Sequence, residues 1–193
     1  MHEHPEINIE MDLSDKRVDM IAEGIDAAIR IGSLADSSQI AKKISTVRVV
    51  PVAAPSLLAQ FPEIKRPEDM HKLPALIYAN ERNPLDWSYK SPDGGEGILR
   101  VTSRMSANNG DVLRDLAIAG LGMANLPTFL NYEAINKGLL IPLLPHYDWT
   151  EFDIFVVYPK TTVVPKRTRR FIDFISGLYG RNPYWNQIES MAG

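Results

Sequence analysis

The chain has 193 residues, enough for one domain or two small lobes with a proper core, and 45% of them are hydrophobic, the usual share for a globular fold. A formal net charge of −3 excludes the broad basic surface that phosphate neutralisation demands, and the lack of cysteine excludes disulfides, thiolate metal sites and a cysteine nucleophile. No uncharged apolar run is long enough to span a bilayer, and the opening MHEHPEINIE lacks the basic-then-apolar order of a secretory leader.

In INIEMDL, Ile7, Ile9, Met11 and Leu13 alternate with Asn8, Glu10 and Asp12, which predicts a half-buried strand ending near Ser14. Ser14 or Asp15 then caps a helix that turns Val18, Ile21 and Ala22 inward and stops at Gly24. IDAAIRIG, IAKKI and VRVVPVAA read as three further strands, and Pro55 opens the helix PSLLAQF. Next come a short helix, PEDMHKL, a strand, ALIYA, and two strands, WSYK and ILRVTSR, joined by SPDGGEG, whose Asp-Gly-Gly supplies the positive backbone angles of a hairpin turn. A helix starting at Asn109 or Gly110 and stopped by Gly120 leads to strand GMANL, helix PTFLNYEAINKG, and strands LLIPLL and DIFVVYP. The last element is the helix PKRTRRFIDFISGLY, with Phe171, Ile172, Phe174, Ile175 and Leu178 on one apolar face.

Alternating strands and helices are the signature of an α/β protein. VRVVPVAAP and DIFVVYP are both nearly continuous apolar runs that end at proline with a long insert between them, which suits strands crossing from one lobe to another. The expected division is a discontinuous first lobe, residues 1–53 and 160–193, and a second lobe, residues 54–159, with a small-molecule site in the cleft between them.

INIEMDLSDKRVDMIAEGIDAAIRIGSLADSSQIAKKI, then AAPSLLAQF, AGLGMANLPTFL, GLLIPLLP and VYPKTTVVPKRTRRFIDFI, together resemble the effector-binding domain of LysR-type transcriptional regulators, in the family's order from about His4 to Tyr179. The resemblance implies a type II periplasmic-binding-protein-like fold: two α/β lobes, two antiparallel crossover strands, and a small-molecule effector in the cleft. It further implies self-association into a dimer or tetramer and a regulatory role in transcription, with contact to promoter DNA only through a winged helix-turn-helix absent from this chain; the expected protein is cytoplasmic and non-catalytic, with no cofactor or metal. Against the family pattern the first strand and helix of the first lobe are also missing, HEHPE standing at the end of that helix.

Within that frame the start of the 110–120 helix is the foremost candidate site. Its first N–H groups have no internal partners and carry partial positive charge, suited to a carboxylate; Gly110 permits close approach, and Asn108 and Asn109 offer side-chain hydrogen bonds. Ser14, then Ile31, Gly32 and Ser33, then Leu126, Pro127 and Thr128 stand at other strand ends, where open α/β sheets bind ligands. Each also has a purely structural reading: Ser14 and Asn108 as helix caps, Gly32 as a turn, Pro127 as a helix start.

Catalysis has little support in the sequence. His2, His4, His71 and His146 are scattered without triad spacing, and G-x-S-x-G, P-loop and H-E-x-x-H motifs are lacking. DWTEFD reads as a solvated loop, DGGEG as a hairpin turn with too few ligands for calcium, and PKRTRR as the wet face of a helix. A free-standing solute-binding protein of the same fold is the alternative function.

Overall fold

The computed structural model describes residues 8–13, 19–32, 39–160, 164–179 and 183–191. In chain order the elements are β1 (Ala28–Ile31), β2 (Gln39–Ala53), α1 (Pro55–Leu58), β3 (Ala75–Tyr78), β4 (Asp86–Lys90), β5 (Glu96–Arg100), β6 (Ser103–Ala107), α2 (Gly110–Ile118), β7 (Met123–Pro127), α3 (Thr128–Asn136), β8 (Ile141–Pro142), β9 (Asp148–Trp149), β10 (Glu151–Pro159) and α4 (Lys166–Tyr179), with 3-10 segments at Pro67–Lys72 and Tyr184–Met191. They form two compact units, Met1–Ser45 with Asp153–Asn182, and Thr46–Phe152 with Pro183–Gly193.

The first unit has strand order β1-β10-β2, with β1 antiparallel to β10 from Ala28↔Val157 to Ile31↔Ile154. Residues 8–13 form no strand, and Ile9, Met11 and Leu13 are exposed. Period-two alternation yields a strand only where a neighbouring edge takes up the backbone hydrogen bonds, and none does so among the described residues. The described part of the expected helix before Gly24 is a turn: Asp19 Oδ1 accepts the Ile21 and Ala22 N–H groups, and Glu23 N–H donates to Asp19 O. Gly24 closes it at φ +68°, as a helix-ending glycine does. Within that turn Met20 is buried, while Ile21 and Ala22 are exposed. Ser14 to Val18 lie outside the described residues. α4 buries Thr168 and Ile172, while Phe174 and Leu178 of its expected apolar face are exposed.

The second unit is an α/β layer with strand order β2-β7-β3-β6 and β8 on the other edge of β2. β7 runs antiparallel to β2, and β3 runs parallel to both β7 and β6. The two strands expected in residues 40–54 are one, β2, since no glycine, proline, asparagine or aspartate separates Ile44 from Val47 to turn the chain. ILRVTSR, expected as a single strand, instead serves two sheets. β5 pairs with β4 in a three-stranded sheet completed by β9, and β6 joins β3. Val101 is buried at the change of sheet, its N–H donating to Leu85 O. Part of DWTEFD is also sheet, because Trp149 pairs with Tyr89 and its buried ring donates to Leu144 O at 3.3 Å.

The core of this unit gathers Met70, Leu76, Trp87, Leu113, Met123, Leu126 and Leu140. Each fully buried leucine or methionine contributes roughly 1.5–3 kcal/mol relative to exposure. α2 supplies Leu113 and Ala117 to it, then ends at Gly120, φ +76°, whose N–H donates to Ala117 O. Gly122 is a close-approach position: a Cβ there would stand 2.8 Å from Pro74 O and 2.9 Å from Leu76 Cγ.

Candidate functional site

Three parallel strands of the second unit, β3, β6 and β7, end on the same side of the sheet. Tyr78 stands opposite Ala107, and Ala79 N–H donates to Ala107 O at 2.9 Å, so the segments after β3 and β6 leave side by side. Leu76 stands opposite Ala124, which carries β7 to the same level. From β3 the chain proceeds to β6 at one edge; from β7 it proceeds through α3 to β8 beyond β2. Neighbouring strands whose connections part to opposite edges make the switch point at which open α/β sheets hold ligands.

Asn108 and Asn109 follow β6, beside the end of β3, with different tasks. Asn109 is the N-cap of α2, in extended conformation, its Oδ1 accepting the Val112 N–H at 3.1 Å. Asn108 is exposed at the end of β6 and makes no side-chain hydrogen bond among the described residues. At Gly110 a Cβ would meet Leu130 Cδ1 at 2.5 Å, so the missing side chain lets α2 and α3 pack. The first-turn Asp111 is paired with Arg114 at 2.7 Å.

Of the β7 trio, Leu126 has its side chain in the core, and its carbonyl accepts from Asn131 Nδ2 at 3.3 Å. Pro127 is the N-cap residue of α3 and, having neither N–H nor polar side chain, offers no donor. Thr128 is 1% exposed, its hydroxyl donating to Asn186 Oδ1 at 3.1 Å. Ile31 and Gly32 belong to the first unit, where Ile31 ends β1 and Gly32, φ +97°, donates its N–H to Asp153 O at 3.0 Å. Ser14 and Ser33 lie outside the described residues.

Two contributors escaped the sequence reading. The segment after β3, Tyr78 to Glu81, shares the strand ends; Asn80 Nδ2 donates to the Tyr78 hydroxyl at 3.4 Å, and burial pushes the Glu81 carboxyl above its ordinary range. ALIYA was legible as a strand, but its parallel pairing to SRMSA was not. The other contributor is Asn186, from a tail to which no element was assigned.

An α/β unit with parallel strand ends and a helix N-terminus at its switch point, crossed by strands shared with a second unit, defines the class of small-molecule-binding domains. The sequence profile described as LysR substrate binding domain matches residues 1–178, and the chain belongs to that family. An HTH-type transcriptional regulator of Haemophilus influenzae is 37% identical over 165 residues, covering 86% of this chain and 57% of that protein. The regulator PtxR of Pseudomonas aeruginosa is 29% identical over 184 residues, 95% of this chain and 59% of that one. Among solved structures, the full-length virulence activator AphB of Vibrio cholerae matches with a TM-score of 0.78 at 28% identity, over 92% of this chain and 60% of its own. The regulatory domain of CrgA, a LysR-type transcriptional regulator from Neisseria meningitidis, matches with a TM-score of 0.75 at 26% identity, over 85% of this chain and 80% of its own. The fold is thus type II periplasmic-binding-protein-like, and the chain is a LysR-type effector-binding domain. It spans less than two thirds of the curated relatives it matches.

Proposed function

We propose that this domain senses a small metabolite bearing a carboxylate or carbonyl oxygen, held at the ends of β3, β6 and β7, and that the occupied state controls transcription. The observation that carries the reading is the start of α2 beside the ends of β3 and β6, where Asn108 is exposed and makes no side-chain hydrogen bond among the described residues and the first helical N–H groups lack partners within the helix. Effector binding biases one of two conformations, and the bias reaches DNA through a helix-turn-helix part outside this chain. Self-association and a cytoplasmic setting belong to the same reading. The matched relatives are HTH-type regulators, which favours it over a free-standing solute-binding protein and over catalysis.

The test is a thermal-shift panel of small mono- and dicarboxylates, followed by calorimetry of any stabilising compound with the unaltered protein and with Asn108→Ala. Loss of one hydrogen bond worth about 1 kcal/mol weakens binding about fivefold while leaving the melting temperature unchanged. Unaltered affinity would place the ligand away from the end of β6.

A further inference from the structure

Unit 1 ends at Asn182, and Pro183 begins the returning part of unit 2, so after α4 the chain crosses between units a third time. It then lays Pro183 to Gln187 against β2 and α3. Trp185 is the anchor: 4% exposed, edge-on to Phe129 with 6.2 Å between ring centroids, its Nε1–H donating to Thr46 O at 3.3 Å. Tyr184 meets Tyr132 edge-on at 5.0 Å. Beside this anchor, Asn186 Oδ1 receives two donors, the Thr128 hydroxyl at 3.1 Å and the Arg48 backbone N–H at 3.4 Å, while its Nδ2 donates to Thr46 O at 3.4 Å. The Arg48 N–H can only donate and the Thr46 carbonyl can only accept, so these partners fix which way the amide points. A cavity of about 10 Å³, one water's worth of room, lies alongside, with Arg48, Val50, Thr128, Leu143 and Asn186 in its wall.

We propose that this corner is an acceptor subsite of the effector site, that Asn186 fills it from within the chain as a latch, and that a carboxylate or carbonyl oxygen of a small ligand takes the same two donors when Pro183 to Gln187 lifts. The inference rests on the reading of the β7 end as part of the effector site, and it adds what shuts that end and what chemistry opens it. Tyr184 is 54% exposed and Trp185, although 4% exposed, lies outside the main hydrophobic cluster, so local release of the segment gives up the burial of one tryptophan ring and leaves that cluster assembled. Lifting it strips the acceptor from two donors on β2 and α3, and donors left unsatisfied are costly, so the open state favours an incoming oxygen. Thr128 directly follows Pro127, the last residue of β7, so its hydroxyl belongs to the end of that strand. Because Asn186 and ligand share the donors, apparent affinity is scaled down by the fraction of molecules with the latch open.

Asn186→Gly deletes the equivalent of one acetamide unit, and acetate returns an oxygen of the same reach. Sodium acetate is titrated into the full chain and into the variant, with sodium chloride at equal ionic strength as the control, following the Arg48 and Thr128 amide resonances. The expected result is a saturable shift in the variant, half-complete at an acetate concentration at least tenfold lower than in the unaltered chain, with no counterpart from chloride. Equal responses in the two proteins, or responses that chloride reproduces, overturn the proposal. Trp185→Ala keeps Asn186 and loosens its anchor, and is expected to lower the half-saturation at least threefold. That arm decides if the glycine variant does not fold, and no change in it likewise overturns the latch. Neither arm uses the natural effector, so the outcome is separable from that of Asn108→Ala.

Discussion

Asn109→Ala tests whether the start of α2 is held by its cap. The Asn109 side chain accepts the Val112 N–H at 3.1 Å and its carbonyl accepts the Leu113 N–H at 3.3 Å; the substitution removes only the first. Loss of such a cap costs about 1 kcal/mol, within a range of roughly 0.5–2. α2 has 9 residues and cannot persist on propensity alone, so its first turn depends on this bond and on burial of Leu113. The expected outcome is a lower urea midpoint by circular dichroism, equivalent to about 1 kcal/mol, with protection of the Val112 amide against exchange reduced roughly fivefold. Asn109→Asp keeps an acceptor and places negative charge where the helix dipole favours it, so its stability matches or slightly exceeds that of the unaltered chain. The same charge repels an anionic effector, so this variant separates stability from binding: as stable as the parent, weaker for a carboxylate. The reasoning is refuted if the alanine variant stays within about 0.3 kcal/mol of the parent with Val112 protection intact, or if aspartate destabilises as much as alanine.

Gly120→Ala forces a side chain into the left-handed region at φ +76° and brings its Cβ 2.8 Å from Ser56 Oγ; a loss of about 1–2 kcal/mol is expected in urea unfolding, and a neutral result would show that the helix end relaxes freely. For Glu81, burial holds the folded carboxyl above its ordinary value of 4.5, so the folded protein retains a proton that the unfolded chain has lost. The group's stabilising effect is therefore complete below that ordinary value and declines as pH rises through the raised one. Glu81→Gln should flatten the stability profile above pH 4.5, and an unchanged slope would mean that the carboxyl is solvated.

What the sequence discloses depends on how local the cause is. Gly24 and Gly120 announced their turns because a positive φ is a property of one residue, and Asn109 announced a helix start because its bond spans three positions. The alternation in residues 7–13 misled for the opposite reason. A strand is a relation between two edges, and the pattern states only that one edge is available. β6 was misjudged on the same ground, since SRMSA continues the alternation of ILR while pairing in another sheet. At Gly110 the sequence suggested room for a ligand but could not show that Leu130, twenty positions on, packs against it.

The candidate site divides along that line. The start of α2 after Asn108 and Asn109 was legible because the helix that they precede is visible as an apolar period. Thr128 was recoverable only as a position: the atom that its hydroxyl serves belongs to Asn186, 58 residues away in the chain. A hydroxyl at a strand end with no internal partner invites a ligand, whereas one already bonded to a side-chain oxygen competes with a ligand for its own donor. Those two situations predict different effects of losing Asn186: indifference in the first, a gain in the effector's apparent affinity in the second. The distinction rests on the Asn186 carboxamide, whose oxygen also accepts the Arg48 N–H and whose nitrogen also reaches the Thr46 carbonyl, so the tail holds the end of β7 and β2 together in one hydrogen-bonded corner. An effector that enters there must exchange one acceptor for another, and the affinity that it shows is the difference between two bonds to Thr128, not the strength of one.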